Sequence, residues 1–184
     1  MRPLLRFEDV SCTRGGRLLF DNLSLAVGPG EALHVAGPNG SGKSSLLRVA
    51  AGLLAPASGC VQRVSLALAD GSLALDRELP LQRALGYWIG GAATAAMDAL
   101  GLAELARVPV RHLSAGQAKR ASLARVAGSG ATLWLLDEPL NGLDAASLGL
   151  VEQLLASHRS RGGAVLAASH TQLAGDWSRL ELGS

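Results

Sequence analysis

The chain has 184 residues, 48% of them hydrophobic, and a formal net charge of +2. This length suits one domain with a buried core, and the scattered, nearly balanced charge does not favour a nucleic-acid partner. No apolar run approaches the ~18 residues of a membrane span, and Glu8 and Asp9 fall where a secretory signal would be apolar. We therefore expect a protein that stays in the cytoplasm and does not itself insert into a membrane.

The first thirty residues predict an antiparallel β layer. Residues 5–11 alternate in the manner of a strand, and the glycine-containing turn at 14–17 leads into the apolar residues 18–20, which predicts a hairpin. Residues 23–27 alternate again and end at the turn formed by residues 28–30. A second strand is expected there.

A phosphate-binding loop follows this layer. Residues 37–44 fit the pattern G-x-x-x-x-G-K-[ST] at every position, between an apolar strand at 32–36 and an amphipathic helix at 45–51. Glycines let backbone amides approach phosphate oxygens, Lys43 adds a positive charge, and the Ser44 hydroxyl can bind Mg²⁺. We predict that ATP phosphates and Mg²⁺ bind at this loop, formed by Gly37, Pro38, Asn39, Gly40, Ser41, Gly42, Lys43 and Ser44.

Arg14 lies just before the hairpin turn. In nucleotide-binding modules with this layout, an aromatic side chain at that place often stacks on adenine. A guanidinium can also lie flat on a base. A solvated turn arginine explains the residue equally well, so both interpretations stay open.

The middle of the chain predicts one or two strands and then helices. Residues 60–69 are rich in strand-forming residues, and from residue 73 onward leucine and alanine recur at helical spacing. We predict a single domain over residues 1–184, with a small helical subdomain inserted at about 73–125. Tyr87 and Trp88 are expected to be packing anchors of this subdomain, because aromatic side chains dominate small cores.

A second helix N-terminus comes next. The residues Leu113, Ser114, Ala115, Gly116 and Gln117 lead into a strongly helical segment, and Ser114 suits its N-cap. An N-cap alone is a common and sufficient explanation. The alternative is a second anion site, which would suit the γ-phosphate of a nucleotide bound by another subunit.

Two apolar strands end in candidate catalytic residues. Residues 133–136 run into Asp137 and Glu138, and residues 164–168 lead to His170. Ligands of α/β proteins bind at the carboxyl ends of parallel strands. We predict that Asp137 holds Mg²⁺, that Glu138 polarises the attacking water, and that His170 lies on the phosphate side of the sheet.

Five segments, taken in their order, resemble the ATPase domain of ABC transporters, and they extend along essentially the whole chain. They are the phosphate loop, residues 113–117, the strand into Asp137 and Glu138, residues 143–144 and residues 169–170. The resemblance implies an α/β P-loop NTPase fold of the ABC ATPase type. Its parts would be a mixed central sheet, an N-terminal antiparallel β layer and a small helical subdomain. It also implies an enzyme that hydrolyses ATP.

The resemblance assigns roles to single residues. It implies that Ser45 joins Lys43 and Ser44 in binding phosphate and Mg²⁺, that Glu138 is the general base, and that His170 contacts the γ-phosphate. It further implies a homodimer. Leu113 to Gln117 would be the signature motif that binds the ATP of the partner subunit, and Asp144 would face the dimer interface.

Residues 14–20, 134–144 and 157–167 carry a closer similarity, to the ATP-binding subunits of haem exporters in cytochrome c biogenesis. This implies integral membrane transporter subunits as partners, a peripheral position on the inner face of the cell membrane, and ATP-driven release of a haem-loaded chaperone. Alternatives are a soluble ABC-type ATPase of an iron–sulphur assembly scaffold and the ATPase of another small ABC exporter. The resemblance also implies that the membrane subunits determine which substrate is transported.

Two positions depart from the family pattern. Ala115 replaces a glycine of the signature, and Ala69 stands where the family has a glutamine that touches Mg²⁺ and the membrane subunit. Asp70 is the adjacent carboxylate that could replace this ligand. Gln82 has better spacing, but it falls in a predicted helix, so we expect its side chain to point away from the metal.

Overall fold

Eight strands form two sheets in the computed structural model, which describes residues 2–183. The strands are β1 (Leu5–Arg14), β2 (Arg17–Val27), β3 (Ala32–Ala36), β4 (Ser58–Arg63), β5 (Leu66–Ala69), β6 (Leu133–Asp137), β7 (Ala164–Ala168) and β8 (Ser178–Glu181). The helices are α1 (Lys43–Ala51), α2 (Leu81–Ile89), α3 (Ala93–Ala99), α4 (Ala115–Ala127) and α5 (Ala145–Ser160). No helix within this range combines the length and the apolar character that a membrane crossing requires.

The antiparallel sheet has the order β2-β1-β4. Gly15 and Gly16 form the hairpin turn with φ angles of 57° and 77°, and a type I′ turn, whose twist matches that of its strands, needs positive φ at both places. The hairpin prediction is confirmed. Residues 18–20 and 23–27, predicted as separate strands, belong to one continuous strand, β2.

The second sheet has the order β5-β6-β7-β3-β8, and each neighbouring pair is parallel. The α/β class is thus confirmed, with one correction: the central sheet is wholly parallel, and the antiparallel strands lie in a sheet of their own. One further strand, β8, was not predicted; it follows β7 in the chain, is mostly exposed and pairs with β3.

Two hydrophobic cores lie on opposite faces of the parallel sheet. In β6, Leu133 and Leu135 face the core beneath α1 and the antiparallel sheet, whereas Trp134 and Leu136 face the core beneath the other helices. Successive strand residues point to opposite faces, so a continuously apolar strand such as β6 serves both cores.

Helices α2, α3 and α4 lie between β5 and β6 in the chain, where helices were predicted; the bounds of a subdomain stay a prediction. The expectation that Tyr87 and Trp88 anchor their packing is wrong, since these side chains are 84% and 51% exposed. Leucine and methionine side chains fill this core instead. Ile89 is the residue at the end of α2 that packs inward, against Gly128, which leaves both aromatic rings outside.

The two rings border a shallow groove of about 400 Å³, which we call the α2 groove. Its lining is largely apolar and comprises Leu73, Ala74, Leu75, Asp76, Leu79, Ala84, Tyr87 and Trp88. Trp88 also stacks beneath the Arg125 guanidinium, 5.3 Å from the ring centre. The groove therefore combines exposed aromatic surface with a largely apolar lining.

The three histidines other than His170 are packed in the core or exposed. A ring nitrogen of buried His34 lies 3.0 Å from the Ser169 carbonyl oxygen, and His112 is exposed. His158 of α5 stacks on Trp134, with ring centres 3.7 Å apart, and its Nε2 is 3.2 Å from the Thr132 carbonyl oxygen.

Candidate active site

A cleft of about 590 Å³ brings together the predicted phosphate loop and the two predicted carboxylates. It lies where β3 and β6 end, at the carboxyl edge of the parallel sheet. Its lining residues are Arg14, Leu19, Asn39, Gly40, Gly42, Lys43, Ser44, Ser45, Gly71, Lys119, Asp137, Glu138 and Asn141. The cleft thus collects side chains from segments that are far apart in the sequence.

The phosphate loop turns into α1 through glycines. Gly40 and Gly42 have φ angles of 82° and 104°, and Gly42 caps α1 without a side-chain hydrogen bond. The first backbone N–H groups of α1 therefore have no acceptor within the helix, and a helix N-terminus of this kind binds anions favourably. Lys43 is buried and donates hydrogen bonds to the carbonyl oxygens of Gly37 at 2.7 Å and Pro38 at 3.0 Å.

Gly37 is required for a second reason besides loop flexibility. Its φ is 139°, and a Cβ at this position would lie 2.3 Å from the carbonyl oxygen of Leu182, which follows β8. The Leu182 amide donates to the Ala36 carbonyl oxygen at 2.9 Å. The residue after β8 thus packs directly on the start of the phosphate loop.

Glu138 is held at the end of β6 by the end of β7. Its own φ is 48°, a left-handed conformation that is costly for a residue with a side chain, and its amide donates to the Ala168 carbonyl oxygen at 2.8 Å. One carboxylate oxygen lies 2.9 Å from Nδ1 of His170, and the other accepts from the His170 amide at 3.2 Å. Ser169 Oγ donates to the same carboxylate at 3.3 Å. The structure therefore brings Glu138 and His170 together.

Mg²⁺ prefers hard oxygen ligands and keeps several waters when it binds to proteins. The Ser44 hydroxyl and the Asp137 carboxylate both line the cleft and provide such oxygens. This donor set fits Mg²⁺ beside the phosphate loop.

Ser114 caps α4 as predicted. Its Oγ accepts from the Gln117 amide at 3.3 Å, and Gln117 Oε1 accepts from the Ser114 amide at 2.9 Å, which completes a capping box. Asp144 caps α5 by accepting from the Ser147 amide at 2.8 Å, and these hydrogen bonds lower the pKa of its carboxyl group.

The signature residues and Asp144 are absent from the described lining of the cleft in their own chain. A Cβ on Gly116 would lie 3.3 Å from the Gly142 carbonyl oxygen, so the signature loop packs on the loop that follows Glu138. Their role towards a partner subunit stays a prediction.

The segment after β5 supplies little to the cleft. Ala69 is buried in the hydrophobic core, and Asp70 accepts hydrogen bonds from the amide and hydroxyl of Ser72 at 3.0 and 2.5 Å. Gly71 is the residue of this loop that reaches the lining. Gln82 is exposed on α2, where its Nε2 lies 3.3 Å from Thr94 Oγ1, so it does not supply the missing glutamine.

Sequence reasoning missed Leu19 and Lys119 and left Arg14 open. Leu19 lies under Gly42, with its Cβ 3.1 Å from the place where a Gly42 Cβ would be. Arg14 does line the cleft, which agrees with either interpretation of this residue. Lys119 carried a signal that was overlooked: Lys43 and Lys119 are the only lysines in the chain.

Comparison with known proteins gives consistent results. The family model described as ABC transporter matches residues 20–141. The Cytochrome c biogenesis ATP-binding export protein CcmA of Sphingopyxis alaskensis is 54% identical over 181 residues, which is 95% of this chain and 93% of that protein. The protein of the same name from Novosphingobium aromaticivorans is also 54% identical, over 90% of this chain and 88% of its own length.

Two solved structures share the fold at lower identity. A protein from Pyrococcus furiosus, named as an ABC transporter ATP-binding protein, superposes with a TM-score of 0.85 over 97% of this chain and 96% of its own, at 19% identity. An ATP binding subunit of an ABC transporter gives a TM-score of 0.82 over 91% of this chain and 79% of its own, at 21% identity.

Proposed function

The chain belongs to the ABC transporter family, as an ATPase, and we propose that it is the ATP-hydrolysing subunit of an exporter complex that serves cytochrome c biogenesis. The observation that carries the site assignment is a single cleft in which Lys43 and Ser44 face Asp137 and Glu138. Names of the similar proteins support the exporter and do not favour an iron–sulphur scaffold.

In the proposed mechanism the α1 N-terminus and Lys43 bind the phosphates of ATP. Ser44 and Asp137 would hold Mg²⁺, which neutralises phosphate charge when it is bound. Glu138 accepts the proton of the water that attacks the γ-phosphate. His170 orients the Glu138 carboxylate through the 2.9 Å contact and, from the same edge of the sheet, lies within reach of the phosphate.

A homodimer completes the site in this proposal. The signature loop at residues 113–117 caps α4 but does not line the cleft of its own chain, which supports a role towards the nucleotide of a second copy. Asp144 lies exposed beside this loop and would face the same interface. Sedimentation of the protein with ATP and with ADP tests this, since only ATP should produce the dimer.

Integral membrane subunits are the proposed partners. The protein would then lie on the inner face of the cell membrane, and its ATP cycle would drive the release of a haem-loaded chaperone by the complex. Exposed aromatic surface is typical of a docking site, and the α2 groove with Tyr87 and Trp88 is the proposed place of contact.

Lys43→Ala tests the assignment of the cleft. Removing a charge-assisted phosphate contact should weaken ATP binding by about tenfold or more, measured by titration calorimetry. Arg83→Ala, which removes an exposed cation on α2, is the matched control and should leave affinity unchanged. Unchanged affinity in Lys43→Ala would contradict the assignment.

A further inference from the structure

Lysine is used at two positions only, although the chain has 17 lysine and arginine residues in total. Both lysines, Lys43 and Lys119, line the same cleft. Arginine serves at each of the other basic positions, whether exposed or half-buried. The two cations differ chemically, because lysine offers a compact and flexible ammonium point charge, whereas arginine offers a wide planar fork. Both side-chain ammonium groups of the chain therefore line this one cleft.

The described contacts of Lys119 do not satisfy the hydrogen-bonding capacity of its ammonium group. The side chain extends from α4, is half-buried, and its Nζ donates to the backbone carbonyl oxygen of Asp137 at 3.3 Å, a long hydrogen bond. An ammonium group has three hydrogen-bond donors. None of the ion pairs within residues 2–183 includes Lys119.

The half-buried ammonium of Lys119 has lost part of its water, and its one described hydrogen bond goes to an uncharged carbonyl oxygen and not to an anion. A half-buried charge is stabilised by an anion with which it can form charge-assisted hydrogen bonds. The cleft that Lys119 lines opens onto the phosphate loop, where such an anion is expected.

We propose that Lys119 is a second phosphate-binding lysine, whose ammonium contacts the terminal phosphate of the ATP bound by its own subunit. This inference rests on the proposed function of the cleft. Its position selects the terminal phosphate: Lys119 lies beside Asp137 and Glu138, and the phosphate that water attacks must come next to Glu138. Lys43 belongs to the phosphate loop and would bind the phosphates from that side of the cleft.

If Lys119 only held the end of β6 in place, its loss would change the affinity for all nucleotides equally. If it contacts the terminal phosphate, its loss would lower the affinity for ATP alone. The test measures the affinity of the full chain for a non-hydrolysable ATP analogue and for ADP. Lys119→Met keeps the length and apolar stem of the side chain but removes its charge. Binding of the analogue should weaken by about tenfold or more, and binding of ADP should change less than about twofold.

Two further variants control this measurement. Arg83→Met makes the same kind of change at an exposed position on α2 and should bind both nucleotides as the parent does. Lys119→Arg keeps a positive charge and should retain more affinity for the analogue than Lys119→Met. Equal losses for the analogue and ADP in Lys119→Met, or no loss for either, would overturn the inference.

A labelling experiment needs no variant. Lys43 and Lys119 carry the only side-chain amines, so an amine-reactive reagent followed by mass spectrometry reports each of them separately. With both nucleotides at saturating concentration, the analogue should protect Lys119 at least about fivefold more than ADP does, because only the analogue carries the terminal phosphate that contacts this amine. Equal protection by both nucleotides would contradict the contact.

A parent protein that bound neither nucleotide would overturn the proposed function as well as the inference about Lys119. If the parent binds nucleotide and only the Lys119 results fail, the proposed function stays intact.

Discussion

At the scale of single residues, Glu138 is constrained in both its backbone and its carboxylate. Its left-handed backbone conformation is retained although a side chain there is unfavourable, and contacts from Ser169 and His170 hold the carboxylate. Strain of this kind persists only where the surrounding structure enforces it. The carboxylate is therefore positioned before a substrate arrives, as a general base requires.

Glu138→Gln should leave ATP binding intact while lowering turnover by a factor of about 10²–10⁴, the usual contribution of a placed general base. The amide is similar in size and keeps hydrogen-bonding capacity, but it cannot accept the proton. Phosphate release under saturating ATP measures the effect. Glu152→Gln on the exposed face of α5 is the control, and equal turnover of Glu138→Gln and parent would remove Glu138 from this role.

Motif residues could be predicted from the sequence because their chemistry is tied to backbone elements. Because Asp137 and Glu138 come at the end of a strand, both lie at the carboxyl edge of the parallel sheet, however the other elements are arranged. Lys119 could not be predicted in this way, since the direction of a side chain on α4 depends on how that helix packs. The exposure of Tyr87 and Trp88 has the same origin, because helical periodicity alone did not reveal which side of α2 faces its neighbours.

At the scale of elements, α5 is attached to β6 by the stack of His158 on Trp134. Burial lowers the pKa of His158 below its ordinary value, although hydrogen bonds with Thr132 and Ala164 oppose the shift. The unfolded chain therefore binds a proton more readily than the folded one. Stability from this residue is present above the ordinary pKa of about 6.5 and is lost as the pH falls below it.

Urea denaturation of the parent should accordingly show a free energy of unfolding that falls between pH 7.5 and pH 5.5. His158→Gln should show a shallower fall over this range, because the buried titrating group is gone. His112→Gln, which changes an exposed histidine, should follow the parent. Parallel pH profiles for His158→Gln and the parent would contradict this account.

Long or strongly patterned elements were predictable, whereas β8 was not. Residues 178–181 read Ser-Arg-Leu-Glu, which is short and mostly polar, and this pattern does not distinguish an edge strand from a loop. What makes the segment a strand is its pairing with β3 and the close approach of Leu182 to Gly37. These are tertiary contacts between distant parts of the chain.

At the scale of the whole molecule, the cleft and the α2 groove are distinct surfaces that share no lining residue. They are linked through Arg125 of α4, which donates to the Leu68 carbonyl oxygen at 2.6 Å in β5 and lies over Trp88 of α2. A partner bound at the groove would thus touch the same helix that carries Lys119 to the cleft.

Replacing Tyr87 and Trp88 together by serine should weaken co-purification with the membrane subunits by about tenfold or more, since exposed aromatic anchors dominate interfaces. ATP affinity should stay as in the parent, because neither ring lines the cleft. Leu53→Ser is a matched control, as Leu53 is 68% exposed at the end of α1. Full co-purification of the double variant would place the contact elsewhere.

The packing of Leu182 on Gly37 has a practical consequence for anyone who handles this protein. An affinity tag or fluorescent fusion that extends the chain beyond Gly183 would begin beside the loop proposed to bind phosphate, because a Cβ on Gly183 would lie 3.0 Å from the Ser41 Cβ, and it could distort the loop or compete with nucleotide. The opposite end of the chain is better suited to such additions. Pro3 and Arg6 border a separate cavity on the antiparallel sheet, which shares no residue with the lining of the cleft.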